Sequence, residues 1–198
     1  MRAHGLLLLA LAAACDGGAG PGSGPTTTST LVVTGALPFA AGYAAAVEGD
    51  ATCPVAGVPT AVHYVAVLAS DQPGLCALLQ HGQARAGSRS IVLGMIQPGG
   101  APISPGTYAV AAAPPEAASA FLSVWQLDAA CTASVLAASS GSVTLTSAAG
   151  GRVQGSVQAS LIGGGAMSGS FDAEPCAGAA VGDVCAGVVG STEPSCVP

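Results

Sequence analysis

The chain has no lysine and no asparagine, and only 7% of its 198 residues are charged. Four arginines stand against ten carboxylates, for a formal net charge of −6. With almost no basic side chains to neutralise phosphates, the composition argues against a nucleic-acid partner. Aromatic residues make up 4% of the chain. Trp125, Tyr43, Tyr64 and Tyr108 could line a site for a sugar or an apolar ligand, but such scarce aromatics are expected to be spent on core packing. A single apolar run near the start is about ten residues long, short of the roughly 20 needed to span a bilayer. No second run of that kind follows, so no spanning helix is expected.

Several chemical signatures are missing as well. There is no C-x-x-C pair, which argues against a zinc site, and no D-x-[DN]-x-[DN]-G loop for calcium. No G-x-S-x-G is present; Gly165-Ala166-Met167-Ser168-Gly169 has its serine one place off. His63 lies in an apolar run with Val62, Tyr64 and Val65, and is expected as a core or sheet-face histidine. His81 falls near the end of a helix, where the dipole favours imidazolium, and is expected in the cap region. Glu48 and Asp50, and Asp172 and Glu174, are spaced i, i+2, the spacing of a solvated strand face. Gly150-Gly151 and Gly163-Gly164-Gly165 join strand to strand, so they are hairpin turns and lack the helix N-terminus that cradles phosphate. No catalytic set, metal or cofactor is expected.

What the chain does contain begins with Met1-Arg2-Ala3-His4 and Gly5-Leu6-Leu7-Leu8-Leu9-Ala10-Leu11-Ala12-Ala13-Ala14-Cys15. A positive start, a short apolar run and small residues before a cut site make a signal peptide over residues 1–14. Leu11-Ala12-Ala13-Ala14-Cys15 resembles the lipobox of bacterial lipoproteins, with Ala12 where leucine is commonest. The resemblance implies cleavage after Ala14 and a diacylglyceryl thioether on Cys15. Two or three acyl chains make a lasting membrane anchor where one does not. Residues 15–30 then read as a lipidated cysteine followed by a Gly/Pro/Ser/Thr tether.

Seven cysteines become six once Cys15 is set aside: Cys53, Cys76, Cys131, Cys176, Cys185 and Cys196. An even number in an exported chain argues for three disulfides, though six cysteines allow 15 connectivities. Cys185–Cys196 is the favoured pair, because it closes a short loop of about 12 residues in a Gly/Pro/Ser tail, a gain of about 3 kcal/mol on the chain-entropy account.

Between tether and tail the chain reads as short strands. Leu31-Val32-Val33-Thr34-Gly35 is the first, and residues 42–49 are a weaker second. Residues 53–59 carry two prolines and read as a loop. Residues 61–68 and 90–96 are apolar at odd and even positions alike, the pattern of a doubly buried strand. Residues 71–82 carry the one helix signal, with Asp71 as cap, Pro73 in the first turn, a Leu75/Leu78/Leu79 stripe and Gly82 at the end. Residues 107–110 and 121–127 add strands, and residues 142–146, 152–161 and 167–173 alternate cleanly as an antiparallel meander with one wet face.

The expected fold is therefore mainly β: an antiparallel β-sandwich or partly closed barrel with one short helix, over residues 31–175, with a cysteine-bearing tail over residues 176–198. The Leu75-Cys76-x-x-Leu79 helix, Gly106-Thr107-Tyr108 and Gly169-Ser170-Phe171-Asp172-Ala173 are similar to features of uncharacterised bacterial envelope lipoproteins. That resemblance implies an exported, membrane-anchored envelope protein. A non-catalytic structural or interaction role is expected, with an envelope protein or glycan as partner. The alternative is a binding module for a small apolar ligand or a glycan.

Overall fold

A computed structural model describes residues 29–55, 57–111, 117–179, 184–186 and 195–197. The expected signal peptide, the lipidated Cys15 and the tether before residue 29 lie outside the described residues. Ser29 and Thr30, expected in the tether, already belong to the domain: the Ser29 N–H donates to the Gly42 carbonyl and the Thr30 N–H to that of Ser170.

The strands in chain order are β1 (Leu31–Gly35), β2 (Phe39–Ala41), β3 (Tyr43–Val55) and β4 (Val58–Ser70), then helix α1 (Leu75–Gln80) and β5 (Gln83–Arg85). They continue with β6 (Arg89–Pro98), β7 (Gly106–Ala109), β8 (Ser119–Leu127), β9 (Ala133–Ala149), β10 (Arg152–Leu161) and β11 (Gly165–Pro175). A 3-10 turn at Val184–Ala186 and β12 (Ser195–Val197) complete the described chain. The protein is mainly β, as the periodicities imply.

Two layers face each other. One contains β3, β4, β6 and β8, paired antiparallel in the order β3-β4-β6-β8. The other contains β2, β1, β11, β10, the second half of β9, and β7. The long strand β9 passes between them: residues 133–137 pair with β8, and residues 138–149 with β10. On the opposite side β11 touches β3 through two residues, Glu174 against Ala45 and Pro175 against Ala46, in parallel. That brief joint leaves a mixed sheet and not a clean barrel. A second parallel pairing, β12 on β5, makes a separate two-stranded sheet. Among the described strands the remaining pairings are antiparallel, and one isolated parallel bridge joins Val110 to Ala120.

Periodicity explains the layering. Odd residues of β4, β6 and β10 and even residues of β8 meet between the layers: Val65, Val67, Ile91, Leu93, Met95, Leu122, Val124, Val153, Val157 and Leu161. The opposite face of β4, β6 and β8 is also buried, in a second cluster of Val62, Ala66, Leu68, Val92, Ile96 and Phe121. Leu75 and Leu79 of α1 and Val184 of the 3-10 turn cover that face. Strands buried on both faces need apolar residues at every position, which is how residues 61–68 and 90–96 read.

Three strand glycines sit directly opposite aromatic residues: Gly49 against Tyr64, Gly94 against Phe121 and Gly155 against Phe171. A Cβ at Gly94 would strike the Phe121 ring, and one at Gly155 would strike the Thr144 carbonyl oxygen and the Phe171 ring. Each glycine makes room for a ring to lie across the neighbouring strand.

The helix is shorter than expected. Gly74 at its N-cap adopts φ +76° and no side chain caps it, so Pro73 stays outside the helix. Asp71 does not cap; its carboxylate accepts the Arg89 N–H at 3.0 Å and ties the segment to β6. Residues 53–55 and 58–59, expected in a loop, are the paired ends of β3 and β4, with Pro54 opposite Pro59. The two prolines are tolerated because the hairpin extends there past β6, whose last partner is Val62, and so behaves as an edge.

Three disulfides join Cys53–Cys185, Cys76–Cys176 and Cys131–Cys196, spanning 132, 100 and 65 positions. The favoured Cys185–Cys196 pair is not formed. The tail is not self-contained: Cys176 and Val184 are buried in the second core, while Cys196 lies on β12 beside β5. Each tail cysteine therefore bridges to the body. On the chain-entropy account a bridge across about 100 residues contributes about 4.7 kcal/mol, more than a local loop would.

Candidate functional site

One group of three ionisable side chains sits on the β3–β4 hairpin. Antiparallel register places His63 of β4 directly opposite Asp50 of β3, with Glu48 the diagonal neighbour on the same face. The His63 Nδ1 is 2.8 Å from an Asp50 carboxylate oxygen, and its Nε2 is 3.0 Å from Glu48. The imidazole is 13% exposed, while Glu48 and Asp50 are 49% and 81% exposed. Ala44 and Ala46 of β3 are buried on this face, and the burial runs out before Glu48.

A neutral imidazole carries one N–H and could donate to only one of these carboxylates; both contacts are hydrogen bonds when both ring nitrogens are protonated. With a carboxylate on each nitrogen, neither is left to take a proton from a hydroxyl or thiol nucleophile. The two carboxylates engage opposite edges of the ring and do not converge on one point. Among the described residues, no group of three or more His, Cys, Asp or Glu side chains could hold a metal ion. The arrangement links β4 to β3 through side-chain contacts at both edges of the imidazole.

On the other face of the hairpin Tyr64 lies across Gly49, and burial, with the Asp50 charge second, pushes its hydroxyl pKa up from 10.0.

A second charged group lies on the outer face of the meander. Arg152 Nε and Nη2 each donate at 2.7 Å to Asp172, one to each carboxylate oxygen, and Gln154 donates to Asp172 at 2.9 Å. Glu174 stands 3.9 Å from Arg152. The hydrogen bond from Arg152 holds the Asp172 carboxyl below 3.8, and Asp172 in turn raises Arg152. The expected i, i+2 solvated acids are found here and at Glu48 and Asp50. The basic partner of each pair comes from across the sheet.

Away from these charges the outer face is neutral and rich in hydroxyl groups. Register aligns Thr107 of β7, Thr144 of β9, Ser156 of β10 and Ser170 of β11 in one row. Thr30 extends it, its hydroxyl 2.8 Å from that of Ser170, and the hydroxyls of Thr107 and Thr144 are 3.2 Å apart.

The aromatic residues do not converge. Trp125 and Tyr64 pack against the second core, Tyr108 lies in the first, and Tyr43 is exposed. Trp125 donates to the Ser123 hydroxyl at 2.8 Å, and the Tyr108 hydroxyl bonds Ser104. His81 forms the C-cap of α1, as its position implies. Gly150-Gly151 and Gly163-Gly164 turn the hairpins β9–β10 and β10–β11, all with positive φ.

Sequence reading missed the His63–Glu48–Asp50 group. Its signal was a histidine and an acid pair on successive strand segments, hidden because residues 53–59 read as a loop and the register was unknown. The six cysteines beyond Cys15 form three bridges among themselves. Disulfides of this number fit an oxidising, exported location. Among the described residues no helix is long and apolar enough to cross a membrane. Compared with known proteins, the chain matches no family model, no curated sequence and no solved structure.

Proposed function

We propose that this is an exported, lipid-anchored protein of the bacterial cell envelope, with a structural or interaction role and no catalysis. One observation carries the reading: six of the seven cysteines pair among themselves within the domain, and the odd one is Cys15, at the end of the apolar run. An acylated Cys15, a tether and a stapled β domain would make a leash and its cargo. The tether would run to residue 28, because Ser29 and Thr30 bond into the domain. The imidazole occupied on both nitrogens weighs towards a non-catalytic role. The scattered aromatics weigh towards an interaction surface over a ligand cavity.

The test is metabolic labelling of the full-length chain, expressed in a bacterial host, with an alkynyl palmitate analogue. Label should be incorporated by the wild type and lost in Cys15→Ser, which should also shift from the membrane to the soluble fraction. A wild type without label, or label that survives Cys15→Ser, would overturn the lipid anchor.

A further inference from the structure

The three disulfides differ in what surrounds them. Cys53 and Cys176 are 0% and 3% exposed, and both belong to the second core, with Cys76 and Cys185 packed against it. Cys196 is exposed on β12 and Cys131 half-buried in the turn between β8 and β9. No residue of β5 or β12 belongs to either core. Strand β12 is held to β5 by three residues of parallel pairing, with the Ser195 N–H on the Gly82 carbonyl and the Ala86 N–H on that of Val197.

The turn carrying Cys131 is braced without its sulfur. One Asp128 carboxylate oxygen accepts the N–H groups of Ala130 and Thr132 at 2.8 Å, and the Cys131 N–H donates to the Asp128 carbonyl. Cys131 itself adopts φ +64°, the one non-glycine residue with positive φ among those described. Exposed bridges are the more easily reduced ones.

We propose that Cys131–Cys196 is a redox-labile clasp, opened by an external dithiol while the two core disulfides stay closed, and that its opening releases β12 from β5. A thiolate of the dithiol attacks the exposed Cys196 sulfur, the Cys131–Cys196 bond breaks, and Cys131 leaves as a thiolate and takes up a proton. The second thiol of the reductant, as thiolate, then displaces Cys196, which is protonated in turn. The protein gains two electrons and two protons, and the dithiol becomes a disulfide. Release frees the Gly82 carbonyl and the Ala86 N–H at the edge of β5. The core clusters are untouched.

The full-length oxidised chain is equilibrated over a dithiothreitol series, free thiols are trapped with N-ethylmaleimide, and the alkylated peptides are mapped. Cys131 and Cys196 should be alkylated together at about tenfold lower dithiothreitol than the other four cysteines, a difference in reduction potential of about 30 mV. The main thermal transition should persist at that point. Alkylation of all six cysteines together, or of either core pair first, overturns the proposal. In Cys131→Ser/Cys196→Ser, amide hydrogen exchange at Ala86 should accelerate while that at Leu93 stays protected. Unchanged exchange at Ala86 overturns the release of β12.

Discussion

The layer of β4, β6 and β8 and the meander of β9, β10 and β11 are built from the same kind of pairing and solve different burial problems. The first is covered on both faces, by the meander on one side and by α1 and the tail on the other. The second is covered on one: Val153, Val157, Ala159 and Leu161 point inward, while Gln154, Ser156, Gln158 and Ser160 face out. The number of buried faces sets the sequence pattern, an unbroken apolar run in one case and strict alternation in the other. The doubly buried layer is exposed mainly at its ends, and the His63 group lies at one of them.

The difference predicts how each region responds to substitution. Leu93→Ala, at a fully buried site in the doubly covered layer, should cost about 2–5 kcal/mol in chemical denaturation. Ser156→Ala, on the open face of the meander, should stay within about 0.5 kcal/mol. Equal costs at the two positions would dissolve the distinction.

A smaller effect is expected at the glycine–aromatic pairs, which both regions share. Gly94→Ala forces its Cβ into the Phe121 ring and should cost about 1–3 kcal/mol, seen as a lowered melting temperature. Gly94→Ala combined with Phe121→Leu should lose part of that cost, because the ring is what the methyl group meets.

The smallest effect is electrostatic and confined to the meander. Because the folded state holds the Asp172 pKa below 3.8, Asp172 adds stability above that value and loses it as pH falls through the folded pKa. The pair is partly exposed, so the contribution is small and screened by salt. Asp172→Asn should lower the melting temperature slightly at pH 7 and low salt, and the difference from the wild type should vanish as pH falls below the folded pKa.

Legibility in the sequence follows the same division. The meander could be read residue by residue, because one wet face writes a period of two into Arg152 to Leu161. The buried strands could be recognised but not placed, since an apolar run does not say which face meets which neighbour. The β3–β4 end was hidden: Pro54 and Pro59 suggest a loop until the hairpin is seen to outrun β6. With that register unknown, His63 could not be set against Glu48 and Asp50. The cysteine count implied three bridges, yet pairing depends on where the tail lies. Val184 and Cys176 reach the second core through contacts 100 positions or more away in sequence, which local spacing cannot carry.

The second cover on the β4, β6 and β8 layer depends on the tail being bolted down, so the pairing of the cysteines tests the account most directly. Peptide mapping of the exported protein without reductant, after alkylation of free thiols, should recover Cys53 with Cys185, Cys76 with Cys176 and Cys131 with Cys196, and none of the six alkylated. A Cys185–Cys196 peptide, or Cys53 and Cys76 found as free thiols, would contradict it.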